Sequence, residues 1–185
     1  MDITTSLSGL VPRFRIGHPR QMVSQASCLA LGLCLLYATP SFLRLMWQST
    51  PSEPQGLYRL QPLPPTLRRD MLVTFPVPAP VADLVYAHGW LPQGWRLMKA
   101  VAALEGDIVC IHEEGVYVND AWQAPVYREL GGVALPVIRG CWTLQADEVF
   151  LLSTKIPNSL DGRYFGLSQR TDLSFVAHPL WTWEP

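Results

Sequence analysis

Three short stretches of this 185-residue chain carry side chains that could together break a peptide bond. Residues 52–58 read Ser-Glu-Pro-Gln-Gly-Leu-Tyr, Lys99 stands alone in an otherwise apolar run over residues 97–103, and residues 161–166 read Asp-Gly-Arg-Tyr-Phe-Gly. A serine hydroxyl becomes an effective nucleophile when a base takes its proton, and a lysine can be that base where burial lowers its pKa. The residue types therefore indicate a serine nucleophile with a lysine base.

Each stretch also has a non-catalytic interpretation. A lone lysine in an apolar strand commonly extends its ammonium group to solvent. A serine close to a proline is typical of a loop turn, and Asp161-Gly162 is typical of a turn that carries a surface ion pair. No metal or other cofactor is expected, because the histidines are scattered without the spacing of a zinc or histidine-dependent site. They are His18, His88, His112 and His178.

A charge-free segment, residues 21–43, precedes the serine stretch. Its length approaches the roughly 20 residues that cross a bilayer as a helix, and we expect one transmembrane helix over residues 22–43. Three arginines before it place residues 1–21 in the cytoplasm and residues 44–185 in the periplasm by the positive-inside rule. A poor small-residue cleavage pattern favours an uncleaved signal anchor, with a cleaved signal peptide as the alternative.

Apolar patterning between turn residues predicts a mainly β domain after the anchor. One short helix is expected at residues 81–88, and Asn119-Asp120 is expected to be the turn of a β-hairpin. The expected strands are residues 71–77, 95–104, 108–112, 115–120 and 148–153.

Composition argues against nucleic acid as a partner, and the cysteine positions leave one disulfide undecided. With a net charge of −1 and 16% charged residues, the chain lacks the basic surface that nucleic acid requires. Cys28 and Cys34 lie inside the apolar segment and are interpreted as small core residues. Cys110 and Cys141 are equally consistent with a disulfide in an oxidising compartment and with buried free thiols.

The three stretches in this order resemble the type I signal peptidase (S26) family, most closely its conjugative-transfer branch, the TraF-like pilin-maturation peptidases. That branch has a Ser-x-Pro-x-Gly-Leu-Tyr box after an N-terminal anchor, matched by residues 52–58. Its lysine box, a Met-Lys strand followed by Gly-Asp, is matched by Met98-Lys99 and Gly106-Asp107. Its last box, Ser-x-Asp-x-Arg-Tyr-x-Gly, is matched by residues 159–166. The resemblance extends over nearly all of residues 22–185.

The resemblance implies a signal peptidase-like β catalytic domain with one N-terminal transmembrane helix, and it implies a role for each matched residue. Ser52 would be the nucleophile and Lys99 the general base. Ser159 would contact and orient Lys99. Asp161 would pair with Arg163 and brace the site.

The wider family can place a hydroxyl two residues before the nucleophile, where it helps to bind the oxyanion. That position is Thr50 here. Thr50 and the backbone N–H of Ser52 are therefore the candidate oxyanion hole, and Ser49 competes for the same role.

Three departures separate this chain from the housekeeping signal peptidases. Those enzymes carry Ser-Met-x-Pro where this chain has Ser52-Glu53-Pro54, and Gly-Asp-Asn-Arg before the last box where residues 153–156 read Ser-Thr-Lys-Ile. Ala100 also stands where an arginine usually follows the lysine. The first two differences disfavour a general secretory role, whereas Ala100 removes one charge near the lysine and makes the lysine box a weaker match than the last box.

The resemblance implies a membrane-anchored serine peptidase of the bacterial inner membrane that processes a propilin for a conjugative type IV secretion system. Water would resolve the acyl-enzyme by hydrolysis, whereas the substrate's own amino terminus would give a cyclic product, and the sequence leaves both outcomes open. Two alternatives remain: a general type I signal peptidase that acts on preproteins, and a non-enzymatic exported assembly factor. The assembly-factor alternative accounts for the anchor and the strands, but it does not account for the serine, lysine and last boxes in this order.

Overall fold

Strands dominate residues 44–184, the part of the chain that the computed structural model describes. The strands are β1 (Arg44–Gln48), β2 (Gln55–Gln61), β3 (Leu72–Pro76), β4 (Arg96–Ala103), β5 (Ile108–Ile111), β6 (Gly115–Val118), β7 (Ala121–Pro125), β8 (Glu129–Leu130), β9 (Val133–Ala134), β10 (Gly140–Thr143), β11 (Glu148–Leu152), β12 (Ser168–Gln169) and β13 (Phe175–Trp183). The helices are α1 (Ala79–Ala87) and α2 (Gly162–Phe165), and a 3-10 turn covers Arg170–Asp172. The predicted mainly β class is confirmed.

All strand pairs in this part of the chain are antiparallel. The largest sheet has seven strands in the order β1-β2-β13-β3-β4-β11-β12. A second sheet has the order β10-β5-β6-β7, and β8 pairs with β9. Strand β4 lies between β3 and β11, so its backbone is paired on both sides, and the Lys99 side chain that it carries is buried.

Strand β11 is buried on both faces and separates two hydrophobic clusters. Val149 and Leu151 belong to the cluster that α1 and α2 cover, whereas Phe150 and Leu152 belong to the cluster shared with β5, β6 and β7. Successive side chains of a strand point to opposite faces, so a strand between two cores needs an unbroken apolar run. This requirement explains why the predicted strand at residues 148–153 shows no polar alternation.

The other predicted elements form with small differences in their ends. The strands expected at residues 71–77 and 95–104 are β3 and β4. Asn119 and Asp120 have φ angles of 49° and 64° and form the two-residue turn between β6 and β7, which confirms the hairpin.

Helix α1 begins two residues earlier than the expected start at residue 81. Pro78 is its N-cap and Pro80 lies in its first turn. The first N–H groups of a helix have no intrahelical acceptor, so proline is tolerated there although it is excluded from a helix interior. The proline-rich segment therefore leads into the helix.

The predicted anchor, residues 22–43, lies outside the described residues, as do Cys28 and Cys34. Between residues 44 and 184 no helix has the length and apolar character needed to cross a bilayer.

A disulfide joins Cys110 to Cys141. The two residues are directly opposite each other on β5 and β10, at the edge of the four-stranded sheet. The sequence left open whether Cys110 and Cys141 form a disulfide or stay as free thiols, and the structure contains the disulfide.

Candidate active site

Ser52 lies in the turn that connects the first two strands. Strands β1 and β2 pair up to Gln48 and Gly56, and residues 49–54 form the connection between them. Although it is in a turn, Ser52 is only 6% exposed, because the turn folds onto the sheet.

The other residues of the serine box shape this turn. The Tyr58 hydroxyl, fully buried, donates a hydrogen bond of 2.6 Å to the Pro54 carbonyl. Gly56 has a φ angle of 139°, and a Cβ atom there would lie 2.1 Å from the Trp181 carbonyl oxygen of β13. Only glycine fits such a close approach. Pro54, Gly56 and Tyr58 therefore hold Ser52 in position.

Lys99 contacts Ser52 from strand β4. Its Nζ donates a hydrogen bond of 2.6 Å to the Ser52 Oγ, and the lysine is 3% exposed. Burial lowers the pKa of Lys99 below its ordinary value, against the opposing effect of the Asp161 and Glu53 carboxyl groups. The ammonium group does not extend to solvent, and the arrangement suits a lysine that accepts a proton from serine.

Asp161 and Arg163 form an ion pair that is fully buried on both sides. Arg163 Nε donates to Asp161 Oδ1 at 2.7 Å, and Nη2 donates to Oδ2 at 2.8 Å. Nη1 donates to the Pro125 and Pro157 carbonyls at 2.8 and 2.7 Å, and Nη2 also donates to the Ser153 carbonyl at 3.4 Å. The buried pair therefore ties α2 to the ends of β7 and β11, unlike the surface ion pair of the non-catalytic interpretation.

Ser153 links this ion pair to the serine turn. Its backbone N–H donates to Asp161 Oδ2 at 3.1 Å, and its hydroxyl donates to the backbone carbonyl of Ser52. Ser153 was not among the site residues predicted from the sequence. Its position directly after β11, a strand that is buried on both faces, could have indicated a role. A hydroxyl at that position becomes buried and needs a hydrogen-bond partner.

Ser159 lines the same groove as Lys99 and is 1% exposed. Its hydroxyl has no hydrogen-bond partner among the described residues, so the contact to Lys99 that the resemblance implies is not formed here. The orienting role of Ser159 stays a prediction.

Thr50 places a hydroxyl beside the Ser52 side chain. Its Oγ1 is 3.5 Å from the Ser52 Oγ, and it accepts a hydrogen bond of 2.6 Å from Gln48 Nε2. The Gln48 amide occupies one lone pair of the Thr50 hydroxyl, whose own proton stays free to donate. The backbone carbonyl of Ser49 accepts a hydrogen bond from Gln55 Nε2, and the competing role of the Ser49 hydroxyl stays a prediction. Gln48 is a second residue that was not predicted for the site, because β1, the strand that ends at Gln48, was not predicted from the sequence either.

A groove of about 280 Å³ opens next to the Ser52 and Lys99 side chains. Strand β1, the segment that follows α1, strand β4 and the segment before α2 contribute its walls. The apolar side chains in the walls include Met46, Trp90, Leu91, Leu97 and Leu160. A groove with apolar walls and a few polar groups at one point suits an extended peptide.

One group of metal-ligating side chains of suitable dimensions occurs within residues 44–184: Cys110, His112 and Cys141. The two cysteines are joined to each other, and thiolates rather than disulfide sulfurs are the usual ligands. This group therefore does not fit a metal ion in the described state.

Comparison with known proteins adds evidence that is independent of this geometry. Residues 20–181 match the family described as signal peptidase, peptidase S26. A plasmid transfer protein TraF from Escherichia coli is 32% identical over 146 residues, which cover 73% of this chain and 81% of the relative. A second plasmid transfer protein TraF from Escherichia coli is 30% identical over 175 residues, which cover 88% of this chain and 98% of the relative.

One further relative and one solved structure are also similar to this chain. A conjugal transfer protein TraF from Agrobacterium tumefaciens (strain 15955) is 32% identical over 147 residues, which cover 74% of this chain and 81% of the relative. A crystal structure of a signal peptidase I from Enterococcus faecalis V583 covers 60% of this chain and 96% of its own, with 20% identity and a TM-score of 0.37.

Proposed function

Because the chain belongs to the signal peptidase family, peptidase S26, we propose that it is a serine endopeptidase in which Ser52 is the nucleophile and Lys99 the general base. The observation that carries this proposal is the 2.6 Å hydrogen bond from a buried Lys99 Nζ to the Ser52 Oγ. A nucleophile within hydrogen-bond reach of a base of lowered pKa is the arrangement that covalent catalysis requires.

The reaction proceeds in two steps. Neutral Lys99 takes the Ser52 proton while Oγ bonds to the substrate carbonyl carbon, and Lys99 then passes that proton to the departing amine as the peptide C–N bond breaks. Thr50 and the Ser52 backbone N–H donate to the oxyanion of the tetrahedral intermediate. The acyl-enzyme remains until a second nucleophile attacks the ester.

That second nucleophile decides the product. Water gives a shortened linear chain, whereas the amino terminus of the same substrate gives a cyclic chain. A tethered amine acts at high effective concentration, which favours cyclisation where the groove holds both ends of the substrate.

We propose a propilin of a conjugative type IV secretion system as the substrate. The support is the similarity to plasmid and conjugal transfer proteins TraF, one of which this chain matches along 98% of its length. The shape and apolar walls of the groove are compatible with an extended, largely apolar segment of such a substrate.

We also propose that residues 22–43 anchor the enzyme in the inner membrane with the catalytic domain on the periplasmic side. The charge-free sequence of residues 21–43 supports this. So does a cluster of exposed tryptophans on β1 and β13, formed by Trp47, Trp181 and Trp183, whose ring centroids lie 5.3–6.3 Å apart. Tryptophan is enriched where proteins meet the membrane–water interface.

The test uses the full-length chain in membranes together with a propilin, followed by mass spectrometry. Ser52→Ala and Lys99→Met should each lower processing by about 10³-fold or more, because each removes one member of a catalytic unit. The matched control is Lys155→Met, which changes the only other lysine, an exposed residue paired with Glu184. It should process normally.

The products and a probe separate the alternatives. A product lighter than the linear chain by one water indicates cyclisation. Processing of a generic preprotein at a small-residue site, without processing of propilin, would favour a general signal peptidase. A serine-reactive probe that labels wild type and Ser52→Ala equally, with no processing by either, would favour the assembly factor and refute the proposal.

A further inference from the structure

Two buried side chains from outside the serine turn donate hydrogen bonds to two different atoms of Ser52. Lys99 Nζ donates to the Ser52 Oγ, and the Ser153 hydroxyl donates to the Ser52 backbone carbonyl. Lys99 is 3% exposed and Ser153 is 1% exposed. The proposed chemistry gives a role to the bond from Lys99, but it leaves the bond from Ser153 without one.

The pairing of β4 with β11 explains how both donors reach the same residue. Leu152 ends β11 and lies opposite Ala100 of β4. In the same antiparallel register, the next residue, Ser153, comes opposite Lys99. Side chains of opposite residues in an antiparallel pair point to the same face of the sheet. Ser153 and Lys99 therefore reach Ser52 from one face.

The buried ion pair holds the backbone of Ser153 in place. The Ser153 N–H donates to Asp161 Oδ2 at 3.1 Å, and the Ser153 carbonyl accepts from Arg163 Nη2 at 3.4 Å. Asp161 and Arg163 are themselves fully buried. Because both polar groups of its backbone are bonded to this pair, the Ser153 hydroxyl is a fixed attachment point for the serine turn.

The two hydrogen bonds to Ser52 differ in what the reaction does to them. In the proposed chemistry the Ser52 Oγ gives its proton to Lys99 and bonds to the substrate carbonyl carbon, so the bond from Lys99 changes in every turnover. The Ser52 carbonyl takes no part in making or breaking covalent bonds. The bond from Ser153 is therefore available to hold the turn in every step.

We propose that Ser153 is a positioning residue: its hydrogen bond to the Ser52 carbonyl keeps the Ser52 Oγ beside Lys99 during formation and breakdown of the acyl-enzyme. This inference rests on the proposed Ser52 and Lys99 chemistry. A reacting group that shifts by about 1 Å loses up to about 10²-fold in rate, so a tether on the backbone of the nucleophile acts on kcat.

The decisive measurement is steady-state processing of propilin by the full-length chain. Ser153→Ala removes the hydroxyl and should lower kcat by about tenfold to 10²-fold. KM should change little, because Ser153 does not line the groove. Ser153→Thr retains the hydroxyl and should recover most of the lost kcat. Denaturant unfolding of each variant identifies conditions under which it stays folded.

A small serine-reactive probe gives a second measurement that does not depend on propilin. The probe should label Ser52 more slowly in Ser153→Ala than in wild type, by about tenfold or more. Ser168→Ala is the matched control, because it removes the hydroxyl of another buried serine, on β12. It should process propilin and react with the probe as wild type does.

A third arm tests a competing acceptor for the Ser153 proton, the buried Glu53 carboxyl group that lies near the same hydroxyl. A hydroxyl donates one proton only. If that proton holds the Ser52 carbonyl, Ser153→Ala should lower kcat by the same factor in a Glu53→Gln background as in wild type. Disappearance of the effect in that background would assign the hydroxyl to Glu53 and overturn the proposal.

The remaining outcomes separate this inference from the proposed function. A folded Ser153→Ala enzyme with the kcat and labelling rate of wild type would overturn the role of Ser153 and leave the Ser52 and Lys99 chemistry intact. An equal loss of kcat in folded Ser153→Thr would also overturn it. Absence of both processing and Ser52 labelling in wild type would overturn the proposed function and this inference together.

Discussion

Lys99 donates its hydrogen bond to Ser52 across 47 positions of sequence, from a strand that is not paired with either strand next to the serine turn. Strands β13 and β3 lie between β2 and β4 in the sheet, so strand pairing does not bring the two residues together. The turn instead folds onto the sheet and is held there by the Ser153 hydroxyl. The hydrogen bond between Lys99 and Ser52 therefore depends on the residues that shape the turn and on those that bury Lys99 away from water.

Lys99→Met should stabilise the fold while it abolishes processing. Because folding lowers the pKa of Lys99 from 10.5, the lysine contributes stability only above that pH, and the contribution is lost as the pH falls through the folded-state pKa. Below the folded-state pKa the variant should therefore have a higher free energy of unfolding than wild type, and this difference should shrink as the pH rises towards 10.5. Denaturant unfolding in detergent at several pH values measures this.

Lys155→Met serves as the control for that measurement, since this lysine is exposed. Its free energy of unfolding should stay close to that of wild type, because an exposed ion pair with Glu184 contributes little. A difference between Lys99→Met and wild type that does not change with pH would show that folding does not lower the pKa of Lys99.

Asp161→Asn should destabilise the fold by about 3–5 kcal/mol, because it leaves the Arg163 guanidinium buried without its counter-charge. Asp172→Asn, which changes an exposed carboxylate that caps the 3-10 turn, should cost about 1 kcal/mol. Chemical unfolding of the two variants in parallel gives the comparison. If Asp161→Asn lost activity at wild-type stability, the residue would act on the chemistry rather than brace the site.

Thr50→Val should lower kcat by about 10²-fold to 10³-fold with little change in KM, because an oxyanion donor acts in the transition state. Ser49→Ala, in the same turn, should have a small effect, since the Thr50 hydroxyl and not that of Ser49 is directed at the nucleophile region by Gln48. Steady-state kinetics on propilin distinguishes the two. The opposite result would assign the oxyanion donor to Ser49.

Replacing both Cys110 and Cys141 with serine should lower the free energy of unfolding by about 3–4 kcal/mol, as the disulfide closes a loop with a sequence separation of 31. Neither cysteine lines the groove, so kcat at a temperature where the variant stays folded should equal that of wild type. Unfolding of wild type in the presence and absence of a reductant provides the matched comparison. A loss of kcat without loss of stability would contradict this assignment.

The tryptophan cluster should contact lipid when the full chain is embedded in vesicles. Brominated lipids should quench the fluorescence of wild type, and replacement of Trp47, Trp181 and Trp183 by phenylalanine should remove most of that quenching. Trp122→Phe changes an exposed tryptophan of the four-stranded sheet and should leave the quenching in place. Equal quenching of the triple variant and wild type would show that this cluster faces water.

Five strands and the hairpin turn were predictable because they depend on near neighbours in the chain: runs of apolar residues and a two-residue turn such as Asn119-Asp120 each leave a local signature. Strands β1, β2 and β13 were not predicted, and the close approach of Gly56 to Trp181 joins segments that are distant in the chain. The start of α1 was missed by two residues, because the same prolines that break a helix interior are accepted in a first turn.

The sequence by itself determined five of the strands, one helix and which residue types are available for chemistry at Ser52, Lys99 and Asp161. Only the tertiary structure decided that Asp161 and Arg163 pair inside the fold, that Glu53 is buried next to Ser52, and that Cys110 bonds to Cys141. The physical reason is that burial and charge proximity are produced by segments distant in the chain, and no pattern of neighbouring residues records which segment will cover a given side chain.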